Sequence, residues 1–115
     1  MRIHQRELGA TTVLELHGQI AGGSDAVALR DRVRSILDRG GRQIVLEMSQ
    51  VTWGNTSGTG ALINAYSEVR RKGGQLKLAA VNDRLNQFFF TIGVRRVMDL
   101  YDTEAEAVAS YVDAA

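Results

Sequence analysis

The chain has 115 residues, enough to bury a core within one domain, and its 44% hydrophobic and 23% charged composition is that of an ordinary globular protein. With 14 basic against 13 acidic side chains the net charge is +1, so there is no electrostatic ground for nucleic acid or an anionic membrane as the main partner. Cysteine is absent, which excludes disulfides, thiol catalysis and cysteine-bound metals.

From the N-terminus, Met1 to Leu8 alternates weakly and ends at the turn Gly9-Ala10. Its charged residues interrupt the apolar core that a secretory signal needs, and no run of about 18 apolar residues could span a membrane. A cytoplasmic protein without membrane insertion is expected. Thr11 to His17 is β-branched and apolar and reads as a second strand, paired with the first as an antiparallel hairpin. Ser24 is a good N-cap for a helix over about 25–39, with Ala26, Leu29, Val33, Ile36 and Leu37 on one face and Gly40-Gly41 as its stop. A central strand follows over about 42–48, apolar except for Glu47. Then comes Gly54-Asn55-Thr56-Ser57-Gly58-Thr59-Gly60, a hydroxyl- and glycine-rich turn into a helix over about 57–72. Ala61, Leu62, Ala65, Tyr66 and Val69 give that helix its apolar face, and Gly73-Gly74 stops it. Gln75 to Val81 is a further strand. Asn82 or Asp83 caps a third helix, whose Leu85, Phe88, Phe89 and Ile92 share a face. Val97 to Leu100 is a short strand, and Thr103 to Glu106 is a capping box opening a last helix with Ala107, Val108, Tyr111 and Val112 on one side.

Strands alternating with helices predict an α/β domain over residues 1–115: a single, mostly parallel sheet of four to five strands with four helices, the first strand antiparallel at an edge. In such sheets, sites lie at the C-terminal ends of strands, which places residues 54–60 at the expected site.

His4 and His17 lie on separate strands without acidic neighbours at ligand spacing, so no metal is expected. Glu47 is read as structural, because a carboxylate in a buried strand must find polar partners. Residues 54–60 lack the lysine of the Walker pattern and the spacing of the dinucleotide fingerprint, so no cofactor is expected. Ser57 sits on a strand-to-helix turn, yet both histidines precede it and the nucleophile-elbow pattern is not matched. A nucleotide-binding or hydrolytic domain is the weaker reading. On local grounds alone, Thr56 and Ser57 are an N-cap with a solvated neighbour. Trp53 is read as a core or rim aromatic, with the core preferred. Phe90 falls off the apolar face of its helix and is a candidate contact, against the plainer reading of a ring resting on the next loop.

Residues 44–60 resemble the signature of the sulfate-transporter-and-anti-sigma-antagonist (STAS) domain. That signature is an acidic-hydrophobic-Ser strand end, then roughly Val-Thr-Phe-hydrophobic-Asp-Ser-Ser-Gly-Leu-Gly. Here it stands as Leu46-Glu47-Met48-Ser49 and Val51-Thr52-Trp53-Gly54-Asn55-Thr56-Ser57-Gly58-Thr59-Gly60. Gly18-Gln19-Ile20, Gly73-Gly74-Gln75-Leu76-Lys77-Leu78 and Gly93-Val94 resemble further family positions, in the same order. The resemblance implies a non-enzymatic anti-sigma factor antagonist of bacterial signalling and transcription regulation. Its partner would be an anti-sigma factor or switch serine kinase of histidine-kinase-like fold, and binding would release a sigma factor. The phosphoacceptor falls on Thr56, with Ser57 second. The partner surface would comprise Gly54, Asn55, Thr56, Ser57, Gly58, Thr59, Ile63 and Phe90. Four residues depart from the pattern: Asn55 replaces Asp, Thr56 replaces Ser, Gly54 replaces a large apolar residue, and Thr59 replaces Leu, which makes the exposed first turn more polar. A different class of role implied by the resemblance is an accessory subunit of a transporter ATPase or a signalling scaffold without phospho-switching.

Overall fold

A computed structural model describes residues 1–113 and the side chains of residues 1–111. The strands are β1 (Arg2–Leu8), β2 (Thr11–Ile20), β3 (Gln43–Gly54), β4 (Gln75–Ala79) and β5 (Leu100–Tyr101). The helices are α1 (Ser24–Asp38), α2 (Thr56–Arg71), α3 (Asp83–Thr91) and α4 (Glu104–Asp113). The sheet order is β1-β2-β3-β4-β5, with β1 antiparallel to β2 at one edge and every other pair parallel. This is the expected α/β architecture.

Side chains alternate across the sheet, as the pleat demands. Leu14, Leu16, Ile44, Leu46, Met48, Leu76 and Leu78 face α1, α2 and α3 in the main core. Val13, Val45 and Ala79 face the other way, where Ala107 and Tyr111 of α4 cover them. Both faces are covered, so the central strands read as continuous apolar runs. The α4 side also holds Lys77, which is buried. Its ammonium donates to Ser110 Oγ at 2.6 Å and stands 4.2 Å from the Tyr111 ring centroid. The Tyr111 hydroxyl reaches the carbonyls of Ile44 at 2.7 Å and Gln75 at 2.8 Å. These partners are what allow the polar atoms to leave water. Burial pushes the Tyr111 phenol well above its ordinary range.

Several expectations need correction. The cap of α1 is Gly23 and not Ser24, which makes no side-chain cap bond. Gly22 and Gly23 both take positive φ, and Asp25 in the first turn accepts the Ala21 N–H at 3.1 Å. The α4 capping box is half made: Glu106 N donates to Thr103 Oγ1 at 3.1 Å. The short last strand is shifted from 97–100 to Leu100–Tyr101, because residues 94–96 form a 3-10 turn. Val94 and Met98 are both buried, and Met98 N donates to Val94 O, so a helical rather than an extended backbone delivers them to the core. Ile92 caps α3 and is 42% exposed, outside the face it was expected to share. Val112, expected on the inner side of the last helix, has a side chain outside the described residues.

The largest departure is the length of β3. It continues from Met48 to Gly54, with register shifts against β2 between Glu15 and His17 and between Gly18 and Gln19. Each shift places an extra residue in β3, which bends and twists a strand. Glu47 closes the first: its carboxylate accepts the Ser49 N–H at 2.6 Å and the Ser49 hydroxyl at 3.0 Å. The structural reading of Glu47 holds, and Ser49 is its polar partner. Val51 then turns inward, while Trp53, expected in the core, is 43% exposed.

Candidate functional site

The extended end of β3 delivers residues 54–57 to the C-terminal edge of the sheet. Gly54 pairs with Ile20 at the end of β2, and the Asn55 N–H donates to the Ile20 carbonyl at 3.2 Å. Asn55 is the N-cap of α2. Its side-chain oxygen accepts the Gly58 N–H at 2.8 Å, and its carbonyl accepts both the Thr59 N–H and the Thr59 hydroxyl at 2.9 Å. Asn and Asp cap helices about equally well, so the family's Asp can become Asn without loss of the turn.

With the cap taken by Asn55, Thr56 and Ser57 are not needed for it. Both are exposed, at the first two positions of α2, and the Thr56 hydroxyl makes no hydrogen bond among the described residues. No acidic residue occupies that first turn, so its free N–H groups and partial positive charge face solvent uncompensated. The next two residues differ. Gly58 and Thr59 are buried, and a Cβ at Gly58 would land on the Ile20 carbonyl. Thr59 therefore does not add polarity to an exposed turn, as expected, but turns its hydroxyl inward to the backbone. Gly22 completes the surround: at φ +90 it lies so close to Ser57 that an added Cβ would stand 2.9 Å from the serine Cβ. The β2–α1 loop thus flanks the hydroxyl pair.

On the other flank a pocket of about 330 Å³ opens between the end of β3 and the start of α3. Gly54, Asn55 and Thr56 line it together with Thr52, Trp53, Arg84, Leu85 and Phe88. The α3 residues were not anticipated as part of the site. Asn82 brings them there. It caps α3 by accepting the Leu85 N–H at 2.8 Å, and its amide donates to the Val51 carbonyl at 2.9 Å. An Asn after a strand signals a cap in sequence, but the second bond depends on the bulged β3 and has no local signature.

Ile63 is partly buried against the main core, two turns along α2. Phe90 is 73% exposed, so the reading of a ring resting on the next loop does not hold. It lies on the outer side of α3 beside Asp83, Asn86, Gln87 and Arg95, apart from the pocket that holds Thr56. Among the described residues no group of three or more His, Asp or Glu side chains is placed to hold a metal, and no helix is long and apolar enough to cross a membrane.

The family model of the STAS domain matches residues 2–107. The chain belongs to the STAS domain family. An anti-sigma F factor antagonist of Paenibacillus polymyxa is 21% identical over 108 residues, which cover 94% of this chain and 92% of that protein. An anti-sigma factor antagonist from Mycobacterium paratuberculosis superposes with a TM-score of 0.82 at 17% identity, covering 95% of this chain and 92% of the other. The Bacillus cell fate determinant SpoIIAA in its phosphorylated form superposes with a TM-score of 0.72 at 18% identity, covering 96% and 99%. Within the STAS domain of this chain, Asn55 and Thr56 occupy the junction between β3 and α2.

Proposed function

We propose that this STAS domain is a non-enzymatic, cytoplasmic anti-sigma factor antagonist whose binding to a histidine-kinase-like anti-sigma factor or serine kinase releases a sigma factor. The partner surface is centred on Gly54, Asn55, Thr56 and Ser57, with Ile63 and Phe90 at its margins and Gly58 and Thr59 shaping it from behind. Phosphorylation of Thr56 switches binding off, with Ser57 as the second acceptor.

One observation carries the reading: Thr56 is an exposed, uncommitted hydroxyl at the first position of α2, spared from capping by Asn55. A phosphate there adds about −1.5 to −2 charge. On the free domain, the N-terminal end of a helix tolerates or welcomes that charge. Inside a protein interface the same charge loses its water without gaining a partner, at a cost of about several kcal/mol. Since every ~1.4 kcal/mol is tenfold in affinity, release follows. The relatives named for anti-sigma factor antagonism, and the phosphorylated SpoIIAA structure of the same fold, support the same direction.

The test is direct. Incubation with the cognate kinase and ATP, then mass spectrometry, is expected to place phosphate on Thr56 or Ser57; a site elsewhere, or none, overturns the switch. Thr56→Glu is expected to weaken the anti-sigma factor complex about tenfold or more by calorimetry. Recovery of a transporter ATPase in place of an anti-sigma factor in a pull-down would reassign the domain to a scaffold role.

A further inference from the structure

We infer that the pocket between the end of β3 and the start of α3 is a binding site for a small aromatic carboxylate. This goes beyond the antagonist reading and does not depend on it. Three features converge there. The pocket holds about 330 Å³, at the small end of ligand sites, which run to about 300–1,000 Å³, so it suits one ring with a short acidic arm. Its walls supply aromatic faces, from Trp53, which is 43% exposed, and from Phe88, which is half-buried beside Leu85. Its one charged lining residue is Arg84, whose guanidinium makes no ion pair among the described residues. A guanidinium meets a carboxylate through two parallel N–H donors, which favours a carboxylate over a neutral polar group.

Gly54 keeps the space open. A Cβ there would sit 3.2 Å from the Leu85 Cδ1 and 3.6 Å from the Ile20 carbonyl oxygen, so a larger residue would press on the Leu85 side chain that lines the pocket. The shape of the void therefore depends on the absence of a side chain at Gly54. An occupant would lie against Thr56, which lines the same pocket.

The chain has a single tryptophan, Trp53, so its fluorescence reports on this pocket alone. The probe is 3-phenylpropionate, with benzyl alcohol as the uncharged control. A saturable change with a dissociation constant on the order of 100 µM is expected, within reach of a ligand of about ten non-hydrogen atoms. Gly54→Leu should abolish saturation, and Arg84→Gln should weaken binding about tenfold. Amide NMR shifts on the unaltered protein give a second reading that needs no variant: residues 52–56 and 84–88 should move together. A change that stays linear to about 10 mM, shifts centred elsewhere, unchanged affinity in Gly54→Leu, or equal binding of benzyl alcohol would each overturn the assignment.

Discussion

Helices α2 and α3 begin in the same way and serve opposite ends. Each is capped by an asparagine whose side-chain oxygen accepts the N–H three residues on, Asn55 to Gly58 and Asn82 to Leu85, both at 2.8 Å. Beyond the cap they diverge. The first turn of α3 opens with Asp83, which offsets the helix's positive end, and drives Leu85 into the core. The Asn82 amide is also spent on the Val51 carbonyl. The first turn of α2 has no acid, puts a glycine where α3 has leucine, and leaves two hydroxyls facing solvent. One start is committed to the fold; the other is held in place by its neighbours and leaves its outer surface open to solvent.

The largest expected effect tests how firmly α2 is held from behind. At the third helical position α3 accepts a large side chain, whereas α2 has no room for a methyl group. Gly58→Ala forces its Cβ onto the Ile20 carbonyl, which is backbone and cannot rotate away. A loss of about 3 kcal/mol in urea unfolding is expected, at the upper end of overpacking costs. A loss below about 1 kcal/mol would mean that α2 can slide away from β2 and that its position is loosely set.

The caps themselves give the next contrast. Asn55→Ala removes one cap and is expected to cost about 1 kcal/mol. Asn82→Ala removes a cap and also strands the Val51 carbonyl, so about 2 kcal/mol is expected. Equal losses would show that the bond to Val51 contributes nothing and that α3 finds its place by packing alone.

These two helix starts also show what a sequence can and cannot disclose. Strand and helix order, the antiparallel first strand and the main-core faces were legible, because periods of two and of 3.6 are local properties. So was the glycine- and hydroxyl-rich junction between an apolar strand and an amphipathic helix, which is visible in the letters. The course of β3 beyond Met48 was not. Its two register shifts depend on β2 and on the turn closed by Glu47 and Ser49, and they decide that Trp53 faces outward. Nor could spacing tell that Thr59 is buried, because the proximity of Ile20 comes from the packing of α2 against the end of β2. Arg84, Leu85 and Phe88 come beside the end of β3 through the packing of Leu85 and Phe89 and the second hydrogen bond of Asn82, none of which has a local signature.

The smallest expected effect separates capping from charge. Asn55→Asp keeps the cap geometry and adds a carboxylate at the positive end of α2, worth about 0.3–1 kcal/mol near neutral pH. That increment has a pH signature to be read against the wild type's own acid response. In the wild type, Arg6 donates to Glu15 and so holds its carboxyl below the usual 4.5, and Gln5 and Thr12 do the same for Glu7. A carboxyl depressed in the folded state contributes stability above its unfolded pKa and loses it as pH falls through the folded value. Wild-type stability should therefore fall as pH drops below about 4.5. The gain in Asn55→Asp should disappear in the same acid range, when its new carboxylate protonates, leaving the two proteins alike at low pH. Urea unfolding midpoints followed from neutral pH down to about pH 3 measure the difference. A gain that persisted in acid would mean that the substituted side chain caps better by geometry and that the field at the start of α2 is weak. The energetic welcome for a phosphate on Thr56 would then have to come from solvent, and not from the helix.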